Sequence, residues 1–150
     1  MNVRILVVDD EIDIRTMLER HFKYLGYEVY IAGNGEEALQ IIDTVKIDVI
    51  ITDIKMPVMD GIALLEEVNN EYPLIRCIVI TGYVTMDNIL SCMNAHARTC
   101  IYKPLEDLSK LEKAVEDSVE DLQHWLRKLE DLSGMKHTAK SETHEEVQEI

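Results

Sequence analysis

The sequence predicts an α/β protein built on one five-stranded parallel sheet with helices on both faces. Three observations lead there. Short β-branched runs alternate with stretches of helical periodicity over the first hundred residues. Residues 3–8 (VRILVV), 48–52 (DVIIT) and 77–81 (CIVIT) are nearly continuous apolar runs, as expected of parallel strands covered on both sides. Parallel strands require right-handed crossovers, which divide the intervening helices between the two faces.

Two further runs, 28–32 (EVYIA) and 99–102 (TCIY), are shorter and belong nearer the sheet edges. The first helix carries Ile14, Met17, Leu18 and Leu25, with Gly26 as its C-terminal stop. Asn34-Gly35-Glu36-Glu37 opens the second with a cap and first-turn acids, and Ala38, Leu39 and Ile42 form its buried face. Leu64, Leu65 and Val68 mark a third helix that ends before Pro73. Ile89, Leu90, Met93 and Ala97 mark a fourth, and the segment after Pro104 a fifth. Five such units commonly adopt the order 2-1-3-4-5 of a flavodoxin-like doubly wound (βα)5 fold, here with an extended C-terminal helix.

Composition narrows the function. No run approaches the length of a membrane span and the N-terminus shows no signal-peptide pattern, so the cytoplasm is the default address. The formal charge of −14 argues against direct contact with nucleic acid or an anionic membrane. Cys77, Cys92 and Cys100 are odd in number and lack metal-ligand spacing, which reads as reduced, buried thiols.

A sheet of this order binds its ligand outside the carboxyl ends of its first and third strands. The first run ends in Asp9-Asp10-Glu11 and the third in Asp53. Any one of these acids could simply cap the helix that follows; together they make a crowded acidic pocket. Like charges so close raise one another's pKa unless a cation relieves them. Oxygen-only ligands open to water suit Mg2+, with Mn2+ as a substitute. Thr81, followed by Gly82, ends the fourth strand, and Lys103 the fifth. Each has an ordinary structural reading, but a hydroxyl and an ammonium are also the donors that hold phosphoryl oxygens.

Asp9-Asp10, the segment Asp53-Ile54-Lys55-Met56-Pro57-Val58-Met59-Asp60-Gly61, Thr81-Gly82 and Lys103-Pro104 together resemble the receiver domain of two-component response regulators. The resemblance covers about residues 3–120. It implies that Asp53 is the phosphoacceptor, taking a phosphoryl group from a sensor histidine kinase or a phosphotransfer protein. It also implies that Asp9, Asp10, Asp53 and the main-chain carbonyl of Lys55 hold Mg2+, while Thr81 and Lys103 bind the phosphoryl group. Met56 and Met59 read as loop-anchoring core residues. Pro57 fixes a bend, and Gly61 reads as a backbone conformation closed to other residues.

The pattern departs from the family in two places. The family usually has Tyr or Phe three residues before the Lys, where this chain has Cys100, so Tyr102 becomes a candidate substitute on the same side of the strand. His96 stands where the family often has Gly and reads as a helix-end surface residue. Lys55 and Tyr83 occupy positions that in the family tune hydrolysis of the acyl phosphate.

Beyond the domain, Leu108, Leu111, Val115, Ser118, Leu122, Trp125, Leu129 and Leu132 continue at alternating spacings of three and four. Residues up to about Val115 are expected on the sheet. Leu122 and the apolar residues after it are expected to overhang it, as a helical extension over 121–133 that pairs with a second copy in a coiled coil or docks on another protein. Residues 134–150 are expected to be a disordered polar tail. Two other functions compete with the phosphoacceptor reading: a receiver-like scaffold that is never phosphorylated, and a phosphohydrolase with Asp53 as nucleophile. The latter wants an acid two residues on, where Lys55 stands.

Overall fold

The computed structural model describes residues 2–141, with side chains placed over residues 2–134. Its elements run β1 (Arg4–Val8), α1 (Ile12–Tyr24), β2 (Glu28–Ala32), α2 (Gly35–Thr44), β3 (Val49–Thr52), α3 (Gly61–Glu71), β4 (Arg76–Thr81), α4 (Met86–Asn94), β5 (Thr99–Tyr102) and α5 (Ser109–Ser141). All neighbouring strands pair in parallel, in the order β2-β1-β3-β4-β5. This is the order expected from the sequence.

The period-two alternation of the strands creates two cores, one on each face. Leu6, Val8, Ile50, Cys77 and Val79 point to the side covered by α2, α3 and α4. Ile5, Val7, Val49, Ile51, Ile78 and Ile80 point to the side covered by α1 and α5. The central strands are therefore buried except at their first residues, Arg4 and Arg76, which is why their interiors are apolar.

Helix ends follow local chemistry. Asn34, Asp60 and Thr85 each accept a hydrogen bond from the main-chain N–H three residues ahead, capping α2, α3 and α4. Gly26 closes α1 at φ +98°. His96 holds φ +61° just past α4 and is exposed, which explains how it serves at a position that favours glycine.

Two helices differ from expectation. In α4 the inward face is not formed by Leu90 and Met93, which are exposed; Cys92 is its one buried residue, and Ala97 lies beyond its end. The helix is short and its apolar residues lie all round it, so periodicity did not select a face. In α5 the packed stretch extends past residue 120. Leu122 is 2% exposed, and Asp121 lies 2.7 Å from Arg76 and 3.6 Å from Arg98. Leu122 thus belongs to the domain, not to the overhang, because Arg76 at the start of β4 and Arg98 just before β5 draw the helix along the sheet. Ser118 fits the core by donating its hydroxyl to the carbonyl of Ala114. The overhang begins after Leu122, where Trp125, Leu129 and Leu132 are about half exposed. The helix also runs to Ser141, so the expected disordered tail does not begin at residue 134. Residues 142–150 lie outside the described part of the chain.

The boundary at Leu122 can be checked by urea melts. Leu122→Ala should lower stability by about 2–4 kcal/mol, as for other buried leucines, and Leu129→Ala by less than about 0.5 kcal/mol.

Candidate functional site

The strands deliver the acids to one edge. The ladder continues one residue past the strands, with Asp9 N–H bonded to the carbonyl of Ala32 (3.1 Å) and Asp53 N–H to that of Val8 (3.0 Å). Side by side at the carboxyl ends of β1 and β3, Asp9, Asp10 and Asp53 each place a carboxylate oxygen within 4.8 Å of the others. Asp9 and Asp53 are buried and Asp10 is exposed, so the cluster opens to solvent on one side.

Lys103 reaches into the cluster from the end of β5. Its Nζ lies 2.9 Å from Asp53 Oδ2, 3.0 Å from Asp9 Oδ2 and 3.2 Å from Glu11 Oε2. Burial alone would pull this ammonium's pKa down, but the neighbouring Asp53 and Asp9 carboxylates outweigh it and the pKa is raised. Asp53 is held at both oxygens, Oδ1 accepting from Ile54 N–H (2.7 Å) and Oδ2 from Lys103. Asp9 is less well served. Its Oδ1 accepts from Glu11 N–H, whereas Oδ2 is ion-paired with Lys103 at 3.0 Å without an aligned hydrogen bond. Burial pushes the Asp9 pKa up, and neither the Glu11 N–H nor Lys103 fully compensates.

A buried carboxylate oxygen that lacks an aligned hydrogen bond, beside two more carboxylates, is a donor set that suits a hard divalent cation. The residues fit one. Main-chain groups steady this corner, since the Arg15 guanidinium donates to the Asp9 carbonyl at 2.9 Å.

The segment after Asp53 closes tightly. Gly61 N–H donates to the Ile54 carbonyl at 2.8 Å, and a Cβ on Gly61 would sit 2.0 Å from the Asp53 carbonyl oxygen. The need for glycine is therefore one of space; its φ is not left-handed, contrary to the expectation of a special backbone conformation. Val58 carries the loop's unusual angle instead, φ +70°, and a β-branched residue there is strained. Met56 and Met59 pack against the core as expected, with Met59 lying against Gly35 of α2.

Thr81 is fully buried, and its Oγ1 accepts from Tyr83 N–H at 3.0 Å. A hydroxyl that accepts one bond keeps its proton as a donor. The Lys55 ammonium lies 5.2 Å from the centre of the Tyr83 ring, a cation–π contact between two side chains that flank the pocket. Cys100 and Tyr102 stay outside. Cys100 is half-buried against α4, and Tyr102 is 52% exposed. Arg15 contributes to the site without any local signal in the sequence, and Glu11, expected only as part of the acidic run after β1, adds a contact to Lys103. Glu11 adjoins the Asp pair, yet only the entry angle of α1 aims it at Lys103.

Residues 5–116 match the response regulator receiver domain. The chain belongs to this family. The receiver is 36% identical over 115 residues to sporulation initiation phosphotransferase F of Bacillus subtilis, covering 77% of this chain and 92% of that protein. It is 34% identical to regulatory protein AtoC of Escherichia coli over 78% of this chain, but spans only 25% of AtoC. In three dimensions it matches a CheY-like receiver domain protein from Methanospirillum hungatei with TM-score 0.77 and 34% identity, covering 83% of this chain and 99% of that one. It also matches the response regulator TrrA from Thermotoga maritima, solved in complex with Mg(2+)-BeF, with TM-score 0.70 and 34% identity, covering 77% of this chain and 98% of that one.

The unrelieved Asp9 charge has a definite sign. A carboxyl whose folded pKa is raised supports the fold below its unfolded value, and that support is lost as pH rises through the folded pKa. Asp9→Asn should therefore raise the urea midpoint at pH 7 in metal-free buffer, and the gain should vanish below about pH 4. Mg2+ should stabilise the wild type more than the variant.

Proposed function

We propose that the domain is switched by phosphorylation of Asp53, with Mg2+ bound by Asp9, Asp10, Asp53 and the main-chain carbonyl of Lys55. The observation that carries this reading is the placement of Asp53: buried, beside two further carboxylates, and in contact with the Lys103 ammonium. A carboxylate oxygen of Asp53 attacks the phosphorus of a phosphohistidine on a sensor kinase or phosphotransfer protein. The P–N bond breaks, and its electron pair stays on the imidazole nitrogen. Bound Mg2+ supplies positive charge that offsets the crowding and the phosphoryl oxygens. Lys103 then moves its bond from Asp53 to a phosphoryl oxygen, and the Thr81 proton is donated to another. Lys55 and Tyr83, joined by their cation–π contact, tune the lifetime of the acyl phosphate. The chain promotes its own phosphorylation and dephosphorylation without turning over a separate substrate.

The phosphohydrolase reading gains nothing, because Lys55 offers no acid and its ammonium is turned onto Tyr83. No helix among the described residues is long and apolar enough to cross a membrane. The exposed Trp125, Leu129 and Leu132 stripe is the natural contact for a second copy, through a two-stranded coiled coil.

Incubation with a small phosphodonor and Mg2+, followed by intact mass, tests the switch. One added phosphoryl group is expected, absent in Asp53→Asn and without the metal; an unmodified wild type would leave the scaffold reading standing. Light scattering tests the pairing. The wild type should approach a dimer at high micromolar concentration while Trp125→Ala/Leu129→Ala stays monomeric, and a monomeric wild type would refute it.

A further inference from the structure

Helix α5 carries one apolar seam over most of its length. Leu111, Val115, Ser118 and Leu122 are buried against the domain, and the exposed Trp125, Leu129 and Leu132 follow at the same spacings of three and four. At about 100° per residue, these last three point within roughly a quarter turn of the residues packed on the sheet. The helix is unbroken from Ser109 to Ser141. Its exposed stripe therefore looks to the same side as the packed residues, just past the end of the sheet where Asp121 meets Arg76 and Arg98.

Building on the pairing of two copies through this stripe, we propose that the two α5 helices run antiparallel, with Leu129 of each packed against the partner's Leu132. Packed helices lie about 8–10 Å apart. A parallel partner at that distance would have to continue beside residues 109–121 on the seam side, where the sheet already lies. An unbroken helix cannot splay away within one turn. An antiparallel partner meets no such obstacle, because its own domain sits at the far end of the pair. From Leu122 to Ser141 the helix rises about 28 Å, room for both stripes to lie side by side beyond the sheets.

Charge points to a second copy as the occupant. Lys128 and Asp131 are exposed and lie on the same flank of the stripe, one turn apart, while the other flank carries Leu126, Glu130 and Ser133. In an antiparallel pair like flanks face each other, so Lys128 comes beside the partner's Asp131 and Asp131 beside the partner's Lys128. The surface is complementary to itself about a two-fold axis. In a parallel pair opposite flanks meet, and Lys128 would face Leu126 or Ser133, gaining nothing. Charges that flank an apolar seam set partner choice and direction in this way. Antiparallel pairing also carries the C-terminal end of each α5 to the partner's domain, at the end of its sheet opposite the acidic cluster.

Charge reversal in the full chain at low salt tests the direction. Lys128→Glu and Asp131→Lys should each self-associate several-fold more weakly than the wild type, because every cross-pair becomes like-charged. Mixed together, the two variants should form mainly the mixed dimer in native mass spectrometry, and the double variant should pair as the wild type does. The mixture separates pairing from helix content, since mixing cannot restore a helix weakened within one chain. Small-angle scattering of the wild-type dimer should place the two domains at opposite ends of the helix pair. A wild type that stays monomeric refutes the pairing itself and this direction with it. A wild-type dimer with both domains at the same end, single variants that pair as tightly as the wild type, or a mixture without preference for the mixed species would overturn the antiparallel arrangement and leave the pairing standing.

Discussion

One ammonium group organises the functional end of this protein. Lys103 lies within 3.2 Å of carboxylate oxygens from Asp53, Asp9 and Glu11. A lysine makes only three directed hydrogen bonds, and here one buried oxygen of Asp9 still lacks an aligned donor. The cluster is thereby left short of positive charge. Such a shortage suits a divalent cation.

The remainder of the fold keeps these groups in register. Two cores on opposite faces of the sheet leave the central strands no freedom to slip, since a shift of one residue would turn every apolar side chain to the wrong face. The acids emerge one residue beyond this rigid slab. The Asp53 segment is then closed by Gly61 against the Asp53 carbonyl itself, and strain in that loop falls on Val58, outside the packed region. Rigid scaffold and strained loop are thus adjacent in sequence and distinct in role.

The periphery is uneven. At one end of the scale, α5 is buried through Leu122 and drawn onto the sheet by Asp121 between Arg76 and Arg98, so its free portion projects from a firm base. By contrast, α4 has one fully buried residue within its span, Cys92. A molecule whose output depends on rearranging its surface gains from such a contrast. The loosely held helix can move at small energetic cost, while the long helix transmits a fixed direction.

By itself the sequence determined the sheet, its strand order, the cap residues and the acids at the strand ends. Each is written in short-range signals: period-two runs, an Asn or Asp before a helix, charged residues just past an apolar run. Tertiary structure alone decided which face of α4 is buried, how far α5 stays on the sheet, and why Gly61 must be glycine. Those depend on distant partners, namely the core beneath α4 for Cys92, Arg76 and Arg98 for Asp121, and the Asp53 carbonyl for Gly61. The reach of Glu11 to Lys103 is of the same kind, because a side chain's aim follows from the angle at which its helix meets the sheet, and no local pattern encodes that angle.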